Sequence, residues 1–489
     1  MTVSVECLML DPNQTGTLQN SIRQIVAQGI LAGRLRTGER MPSSRKLAEH
    51  LGVSRITVTL AYADLVADDY LMAKGRSGYF VSEGAPQPGV YPPARTNDTD
   101  AVDWVRMIGH RPQTNALGME KPRNWRDFRF PFVYGQADPT LFDHVNWRGC
   151  MLQASGQKDF ARMTDDQFDY DDPGLLEYIA RHTLPRRGIL ASSDEVLVTL
   201  GAQNALWLTA QLLLNQRRSA AIEDPGYPGL REILMQTRCR VSPIPVGPTG
   251  LEPNQLTEGI DVLFCTPSHH CPTGTTMPLK ARQQLLAQAS KHDTVIVEDD
   301  YEFEITHDRA PLPALKSLDR EGRVIHVGSF SKSMFPGLRL GFLVGPAPFI
   351  QEARALRATV LRHPPGILQR AAAHFLSLGH YDAMLRRLTR SYSQRREIML
   401  DAVRKEQLEI AGAVDDGGSS LWMRTPTGVD ASELAKALRD ENVLIEPGRP
   451  FFADPDQGAQ FYRIAYSSII AERIPEGISR IARQIAKMA

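Results

Sequence analysis

The chain has 489 residues, which is too long for one ordinary hydrophobic core and predicts two or three domains. Its hydrophobic content of 42% and charged content of 23% are typical of a globular protein. The net charge is zero, so any nucleic-acid-binding surface must be local. The five cysteines lack CxxC pairing, which argues against a disulfide framework or a zinc site. We find no signal pattern and no apolar run long enough to span a membrane, and we therefore expect a cytoplasmic protein with no membrane partner.

Composition divides the chain into four segments. Residues 1–16 form a tail, residues 17–83 alternate short helical patterns with turns, and residues 84–126 are rich in Pro, Asn, Arg and Gly. From residue 127 to residue 489, apolar strand patterns alternate with helical segments. This alternation favours an α/β fold with a largely parallel sheet, joined to the N-terminal domain by a linker over residues 84–126.

The segment at residues 17–83 predicts three helices and a hairpin. Apolar residues recur at helical spacing from Leu18 to Ile30, and Gly33 is a stop signal. Ser43 or Ser44 can cap a second helix. The third helix begins after Ser54, and we expect it to bury these residues: Val58, Ala61, Tyr62 and Leu65. The sequence "YLMAKGRSGYFVS" then predicts a hairpin with a basic turn.

This order of elements is that of a winged helix-turn-helix, whose third helix enters the major groove of double-stranded DNA. Residues 18–83 hold nine Lys/Arg against six Asp/Glu, a local basic excess. Arg55 can reach phosphate or guanine edges, and Thr57 can contact phosphate or a thymine methyl. Arg45 would hold phosphate at the second helix, and Lys74 and Arg76 would place the hairpin against a groove.

The sequence of residues 33–81 closely resembles the GntR-family DNA-binding domain; it reads "GRLRTGERMPSSRKLAEHLGVSRITVTLAYADLVADDYLMAKGRSGYFV". The resemblance implies that two Ser-Arg pairs lie at the DNA, namely Ser44-Arg45 and Ser54-Arg55. The alternative is a helical interaction domain whose basic residues are only a solvated face.

In the second half, "VIHVGSFSKSMFPGLRLGFLVG" carries the strongest chemical signal. A lysine on a Ser/Gly turn can form a Schiff base with a cofactor aldehyde, and Lys332 occupies that place. Ser329, Ser331 and Arg339 can hold a phosphate dianion. Because a lone loop lysine is usually a surface charge, the interpretation depends on the motifs that accompany it.

Four further motifs end apolar strands with polar groups. In "VIVEDDYEFE", Asp299 can pair with a protonated pyridine nitrogen and Tyr301 can reach the ring hydroxyl, although a metal-binding acidic cluster is the alternative. Gly201 opens a helix whose free N–H groups can bind phosphate, together with Ala202 and Gln203. Tyr227 could stack on the pyridine ring.

The fourth motif is the loop "SHHCPTG", which invites a zinc interpretation. Adjacent ligands on one loop rarely give tetrahedral geometry, so we predict no metal site. Near the C-terminus, Arg463 in "FYRIAYS" would point opposite to Tyr462 and bind a carboxylate or sulfonate bidentately.

These elements, in this order, resemble the fold-type I pyridoxal-phosphate enzymes of the aspartate aminotransferase type. The resemblance implies pyridoxal 5'-phosphate as cofactor and Lys332 as its Schiff-base lysine. It implies that the other cofactor-binding residues are Asp299, Tyr301, Tyr227, Gly201, Ala202, Gln203, Ser329, Ser331 and Arg339. Tyr170, in "DYDDPG", resembles the tyrosine that reaches the phosphate of a partner subunit, and Arg463 the arginine that binds a substrate carboxylate.

Both halves together resemble the MocR/GabR subfamily of GntR regulators. The resemblance implies a homodimer with a head-to-tail arrangement, in which an amino-compound effector exchanges onto the cofactor at Lys332. Cys271 stands where aminotransferases usually carry an asparagine, which argues against efficient transamination. Gly229 stands where GABA-responsive members carry an arginine, which argues against GABA. The "SHHCPTG" wording is similar to members linked to taurine or ectoine-derivative catabolism.

The sequence therefore predicts a pyridoxal-phosphate-dependent transcriptional regulator with a DNA operator and a carboxylate- or sulfonate-bearing amino effector. One alternative is a working aminotransferase with an accessory DNA-binding domain. The other is a regulator that senses pyridoxal phosphate itself.

Overall fold

A computed structural model describes residues 2–10, 16–86, 102–108, 122–136, 138–305, 312–414 and 417–489. The chain divides into two compact units, Met1–His110 and Arg111–Ala489. Most of the predicted linker at residues 84–126, and residues 1 and 11–15 of the predicted tail, lie outside the described residues.

The N-terminal unit contains helices and a two-stranded antiparallel hairpin. The helices are α1 (Leu18–Leu31), α2 (Ser44–Leu51), α3 (Arg55–Ala67) and α4 (Trp104–Met107), and the strands are β1 (Leu71–Ala73) and β2 (Tyr79–Val81). Side-chain caps begin the helices as expected, because Ser43 accepts from the N–H of Lys46 and Ser54 from that of Thr57. The third helix buries all four predicted residues, Val58, Ala61, Tyr62 and Leu65.

The C-terminal unit is an α/β domain with a smaller subdomain. Its strands are β3 (Phe130–Pro131), β4 (Val196–Thr199), β5 (Ser219–Asp224), β6 (Arg240–Gly247), β7 (Gly250–Leu251), β8 (Val262–Cys265), β9 (Val295–Asp300), β10 (Val324–Ser329), β11 (Gly341–Val344), β12 (Glu409–Ile410), β13 (Ser420–Arg424), β14 (Val443–Leu444), β15 (Glu446–Pro447) and β16 (Phe461–Ala465).

Twelve helices accompany these strands in the described part of the unit. They are α5 (His144–Ala154), α6 (Gln157–Met163), α7 (Pro173–Tyr178), α8 (Ala202–Leu213), α9 (Pro228–Thr237), α10 (Leu279–His292), α11 (Leu315–Leu318), α12 (Ala347–Leu361), α13 (Gly366–Ser377), α14 (His380–Lys405), α15 (Ala431–Asp440) and α16 (Ile474–Met488).

The large sheet has eight strands in the order β4-β11-β10-β9-β8-β5-β6-β7. The five strands from β10 to β6 run parallel, whereas β11 runs antiparallel to both of its neighbours. The prediction of a largely parallel sheet is therefore confirmed. The central strands are buried on both faces, as all four residues of β8 illustrate, whereas Ile244 is the one buried residue of β6 at the side of the sheet.

The small sheet has the order β12-β13-β16-β15 and is antiparallel. Its core face packs against α14, α15 and α16 through residues that include Tyr462 and Ile464. Alternation along β16 turns Arg463 to the other face, away from this core.

The parallel strands bring distant segments to one edge of the large sheet. Asp300 ends β9, Ser329 ends β10 and Asp224 ends β5, all at carboxyl ends. In open α/β sheets, ligands bind at this edge because the loops that follow the strands converge there.

A buried ion-pair cluster joins the segment before α7 to the large sheet. Asp171 pairs with Arg354 at 2.8 Å and Arg357 at 2.5 Å, both on α12, and accepts a hydrogen bond from Val198 N on β4. The side chains of Asp171 and Arg357 are fully buried. Removing one member of such a cluster leaves an uncompensated buried charge.

We predict that Asp171→Asn lowers the free energy of unfolding of the C-terminal unit by about 3 kcal/mol, because it leaves two arginines without their carboxylate. Denaturant unfolding measures this loss. The matched control is Asp401→Asn, which breaks an exposed pair with Arg404 and should cost less than about 1 kcal/mol. Equal effects of the two substitutions would contradict the prediction.

Candidate functional site

Lys332 follows β10 and projects into a cavity at the carboxyl edge of the large sheet. Its Nζ lies 4.5 Å from the centroid of the Tyr134 ring. Gly135 has a φ of +69° and faces Lys332 so closely that a Cβ there would overlap Nζ. Burial lowers the pKa of Lys332. The neutral amine is the nucleophilic form, so this environment favours reaction with an aldehyde.

The cavity has a volume of about 230 Å³. Apart from Gly201 and Tyr170, it gathers every residue predicted to bind the cofactor or the effector: Lys332, Ala202, Gln203, Tyr227, Asp299, Tyr301, Ser329, Ser331, Arg339 and Arg463. The other lining residues are Tyr134, Gly135, Gln136, Leu206, Cys271, Pro336 and Phe451.

Asp299 offers an acceptor that the described residues leave unused. Its Oδ1 is buried and has no hydrogen-bond partner among them. Burial, followed by repulsion from Asp300, raises the pKa of Asp299 to about 7. A carboxylate in this state fits the protonated nitrogen of a pyridine ring, which would supply both the missing hydrogen bond and a compensating charge.

A second group of polar side chains surrounds Gly201 and is suited to the cofactor phosphate. Gly201 has a φ of +81°, and a Cβ built on it would lie 3.5 Å from the guanidinium carbon of Arg339 and 3.6 Å from Ser331 Oγ. Ser331 Oγ is buried without a partner in the described part of the chain. Ser329 Oγ accepts a hydrogen bond from Ser331 N at 3.2 Å, and Arg339 donates to Leu200 O at 3.1 Å.

The start of α8 adds backbone N–H groups beside Gly201, Ser331 and Arg339, and we call this set of groups the phosphate cradle. The helix begins at Ala202, and its N-cap Gly201 makes no side-chain cap. The first N–H groups of a helix have no partner within the helix, so those of Ala202 and Gln203 are suited to a phosphate. The residues present therefore fit pyridoxal phosphate at both ends of the ring.

Two tyrosines occupy the walls of the cavity. The hydroxyl of Tyr301 donates to His269 O at 3.0 Å. Burial raises the pKa of Tyr227 to about 12, so its hydroxyl stays protonated at neutral pH. A Cβ on Gly229 would lie 2.6 Å from the Tyr227 ring. A side chain at position 229 would therefore require the Tyr227 ring to shift from the position that it has here.

Arg463 lines the cavity from strand β16 of the small sheet. Its Nε donates to Glu446 Oε2 at 2.7 Å, and Nη1 lies 3.9 Å from Cys271 Sγ. The guanidinium carbon is 3.9 Å from the centroid of the Tyr134 ring and 4.8 Å from that of Phe451. Burial opposes the charge, but the combined effect of Glu446, Cys271 and Tyr134 raises the pKa of Arg463.

Tyr170 does not join the cavity of its own chain. It is 47% exposed and lines a separate hollow of about 880 Å³. The proposed reach to a partner's phosphate stays a prediction.

The sequence did not indicate several residues of the site. Tyr134 and Gly135 line the cavity from a segment with no recognised motif, and Phe451 lines it from a short element of the small subdomain. Glu446 does not line the cavity but bonds Arg463, which does. Gly135, in "FVYGQADP", could have indicated an unusual backbone conformation. No residue near it in the sequence indicates a contact with Lys332.

The loop before Cys271 holds buried polar groups rather than an evident metal site. Burial lowers the pKa of His270 to about 3, and its Nδ1 lies 2.7 Å from Thr273 Oγ1. Across the described ranges, no group of three His, Cys, Asp or Glu residues could hold a metal ion. The helices in those ranges include none that is long and apolar enough to cross a membrane.

In the N-terminal unit, the predicted DNA-binding residues of α2 and α3 form one exposed cluster. Ser54 Oγ lies 2.7 Å from Thr57 Oγ1, and Arg55 Nε donates to Ser44 Oγ at 3.4 Å. Arg45 is also exposed at the start of α2. The helix N-termini thus combine basic and hydroxyl groups that suit phosphate contacts.

The hairpin of β1 and β2 contributes a further basic residue. Lys74 is exposed between β1 and the turn, with Nζ 5.1 Å from the centroid of the Phe80 ring. The side chain of Arg76 lies outside the described residues. Ile56, which the sequence analysis did not select, is 72% exposed beside Arg55.

The comparisons agree with this two-part architecture. Residues 18–81 match the family described as bacterial regulatory proteins, gntR family, and residues 162–481 match aminotransferase class I and II. The HTH-type transcriptional regulator TauR of Rhodobacter capsulatus is 56% identical over 99% of this chain and 100% of its own length. The probable rhizopine catabolism regulatory protein MocR of Rhizobium meliloti is 30% identical over 97% of this chain and 95% of its own.

A solved structure gives the same fold for the second unit. The α-aminoadipate aminotransferase LysN of Thermus thermophilus, complexed with N-(5'-phosphopyridoxyl)-L-leucine, aligns with a TM-score of 0.69 at 27% identity. The alignment covers 79% of this chain and 99% of that chain.

The fold and the pocket define a DNA-binding transcriptional regulator whose aminotransferase-like domain binds pyridoxal 5'-phosphate. The chain belongs to the MocR-like regulators, which combine a GntR-family helix-turn-helix with a domain of the class I and II aminotransferase family.

We predict a pH-dependent effect of Asp299→Asn on the cofactor-free protein. The folded-state pKa of Asp299, about 7, lies above the value of an unfolded carboxyl, so ionisation at higher pH opposes folding. The asparagine cannot ionise. The variant should therefore melt at a higher temperature than the parent near pH 8, and this difference should shrink as the pH falls below 7 and vanish only below about pH 4, where the carboxyl is protonated in both states.

The other buried acids are common to both proteins and cancel in this comparison. Asp293→Asn, at an exposed position, is the control and should give no such pH-dependent difference. With cofactor bound, Asp299→Asn should instead weaken cofactor retention, because the pyridine nitrogen loses its carboxylate. A variant that is less stable than the parent near pH 8 without cofactor would contradict the prediction.

We predict that Arg55→Ala weakens binding to mixed-sequence duplex DNA by about tenfold at low salt and reduces the salt slope by about one. Electrophoretic mobility shift over a salt series measures both. The control is Arg23→Ala, on α1, which pairs with Asp68 at the other end of α3, about 20 Å away. An unchanged salt slope for Arg55→Ala would remove this residue from the interface.

Proposed function

We propose that the regulator senses a small primary amine that carries one carboxylate or sulfonate. In this proposal the amine exchanges onto the cofactor at Lys332, and the acid group binds Arg463. The observation that carries it is the position of the Lys332 amine and the Arg463 guanidinium against one ring, that of Tyr134.

Pyridoxal phosphate supplies an aldehyde that condenses reversibly with primary amines. The residues of the chain would hold and orient it: Asp299 at the ring nitrogen, the Gly201–Ser331–Arg339 cradle at the phosphate, and Tyr227 and Tyr301 along the walls. The depressed pKa of Lys332 would let its amine release and accept a proton as the effector enters and leaves.

The spacing of these two groups limits the length of the effector. Lys332 Nζ and the guanidinium carbon of Arg463 each lie within 4.5 Å of the Tyr134 centroid, so the two groups are less than about 9 Å apart. A molecule with a few carbons between its amine and its acid can contact both ends.

We further propose that the protein is a cytoplasmic homodimer in which Tyr170 reaches the phosphate of the partner subunit. The exposure of Tyr170 outside its own cavity supports this assignment. Val145 and Leu152 lie two turns apart on α5, so they share a face, and both are exposed. Exposed apolar faces of this kind are typical of association surfaces. The head-to-tail arrangement remains part of the proposal.

Effector occupancy would change DNA affinity only if the effector prefers one of two conformations. Arg463 lies on the small sheet and Lys332 follows the large sheet. An effector that contacts both would favour a closed subdomain, and we propose that this closure is what the DNA-binding domain reads.

A second candidate is an active aminotransferase, favoured by the likeness to the Thermus enzyme. Against it stands Cys271, whose Sγ occupies the cavity wall where these enzymes place an asparagine. Burial raises the pKa of Cys271 to about 11, so the thiol stays neutral and is a weak hydrogen-bond donor. Steady turnover of an amino donor with a keto acid would reveal such an activity.

We predict that Lys332→Ala removes the visible absorption band of the bound cofactor and the response to amines, while the protein stays folded. The parent should show a band that shifts on titration with one member of a panel of amino acids, taurine and diamino acids. Absorption spectra and DNA-binding assays with and without each compound measure this.

Lys280→Ala, an exposed lysine on α10, is the control and should behave as the parent. A Lys332→Ala protein that retained both the band and the amine response would overturn the mechanism. A difference in DNA affinity between cofactor-free and cofactor-bound protein, with no effect of any amine, would favour sensing of the cofactor itself.

A further inference from the structure

The arginine proposed to receive the acid of the effector already has a buried counter-ion. Glu446 on β15 and Arg463 on β16 are directly opposite one another in the small sheet. Arg463 Nε donates to Glu446 Oε2 at 2.7 Å, and the side chains of Arg463 and Glu446 are only 3% and 8% exposed.

Glu446 itself stands behind the pocket. Arg463 lines the cavity, whereas Glu446 is not among the described residues that form its walls. The guanidinium is enclosed by the rings of Tyr134 and Phe451, so its position is fixed from several sides. Glu446 therefore acts on any ligand through Arg463 and is a positioning residue.

The physical consequence concerns charge. A buried arginine without a partner is strongly unfavourable, and Glu446 provides that partner when no effector is present. The resulting pair is neutral, so an incoming acid gains less from Arg463 than it would from an isolated guanidinium. A second acid lies nearby, since Glu302 accepts a hydrogen bond from the hydroxyl of Tyr134 at 3.1 Å, but burial raises the pKa of Glu302 and so favours its neutral form.

We propose that Glu446 sets the strength with which the pocket attracts acids, and that it restricts the effector to a single acid group. It holds Arg463 neutralised in the empty pocket and competes with the effector for the guanidinium. An amino dicarboxylate would bring a further negative charge beside Glu446, and the pocket discriminates against it. The proposal rests on the assignment of Arg463 to the acid of the effector.

The test uses acids without an amine, so that the chemistry at Lys332 plays no part. Propionate, ethanesulfonate and succinate are titrated into the cofactor-bound protein, and thermal melting gives the dissociation constants. The Glu446→Gln substitution keeps a hydrogen-bond acceptor for Arg463 Nε but removes the charge.

Without added acid, E446Q should melt at a lower temperature than the parent, because Arg463 loses its counter-ion. Both monoacids should bind E446Q about tenfold more tightly than the parent, and succinate should gain more than either. Glu446→Asp keeps the charge and should not gain affinity. Glu409→Gln, an exposed acid of the same small sheet, is the control and should leave all three constants unchanged.

Unchanged or weaker binding of the monoacids to folded E446Q would overturn the proposal. If E446Q does not melt cooperatively alone, added propionate or ethanesulfonate must restore its transition, and failure to do so is equally decisive. Arg463→Gln separates this result from the proposed function: acids that bind parent and R463Q alike would show that Arg463 is not the acid site at all.

Discussion

The pocket depends on one constraint, which is that ionic groups removed from water must be compensated by one another. Lys332, Asp299, Glu302 and Arg463 are all enclosed, and burial is the first cause of the altered pKa of each carboxyl. Arg463 keeps its charge because Glu446 is bonded to it, and Asp299 keeps an unused acceptor. The charge of Arg463 is therefore compensated within the chain, whereas the carboxyl of Asp299 is not. The cofactor would supply the missing positive charge at Asp299.

The sheet explains why these groups can meet. Parallel strands bring loops from separate parts of the chain to one carboxyl edge, and Asp299 and Lys332 belong to neighbouring strands and the loops that follow them there. Arg463 arrives from a different sheet. A pocket with one wall on each of two sheets responds to a ligand that contacts both, because the ligand favours the conformation in which the two walls are close.

The sequence predicted most of the site residues that lie on strands or directly follow them. Lys332, Asp299 and Arg463 each end or interrupt an apolar run, so local pattern was enough to select them. Tyr134, Gly135 and Glu446 were missed because their role arises from tertiary contacts: nothing within "FVYGQADP" or "LIEPGRP" indicates a neighbour outside the segment itself. Gly229 was interpreted as the absence of an arginine, whereas the structure adds that a Cβ there would lie 2.6 Å from the Tyr227 ring, so the glycine permits the observed position of that ring.

A sensor must be stable when it is empty, because the empty protein is one of its two working states. The free energies of the empty and occupied states must also differ by only a modest amount. A ligand shifts two states only by its differential affinity, and an anion site that bound every acid tightly would respond to the common metabolites of the cell. The Glu446–Arg463 pair satisfies both demands. Under the proposed function, it would compensate the arginine when no effector is present and lower the attraction for acids in general, so that the reaction of the amine at Lys332 would have to contribute to binding before the pocket closed. Recognition of amine and acid together, rather than of acid alone, would follow from this arrangement.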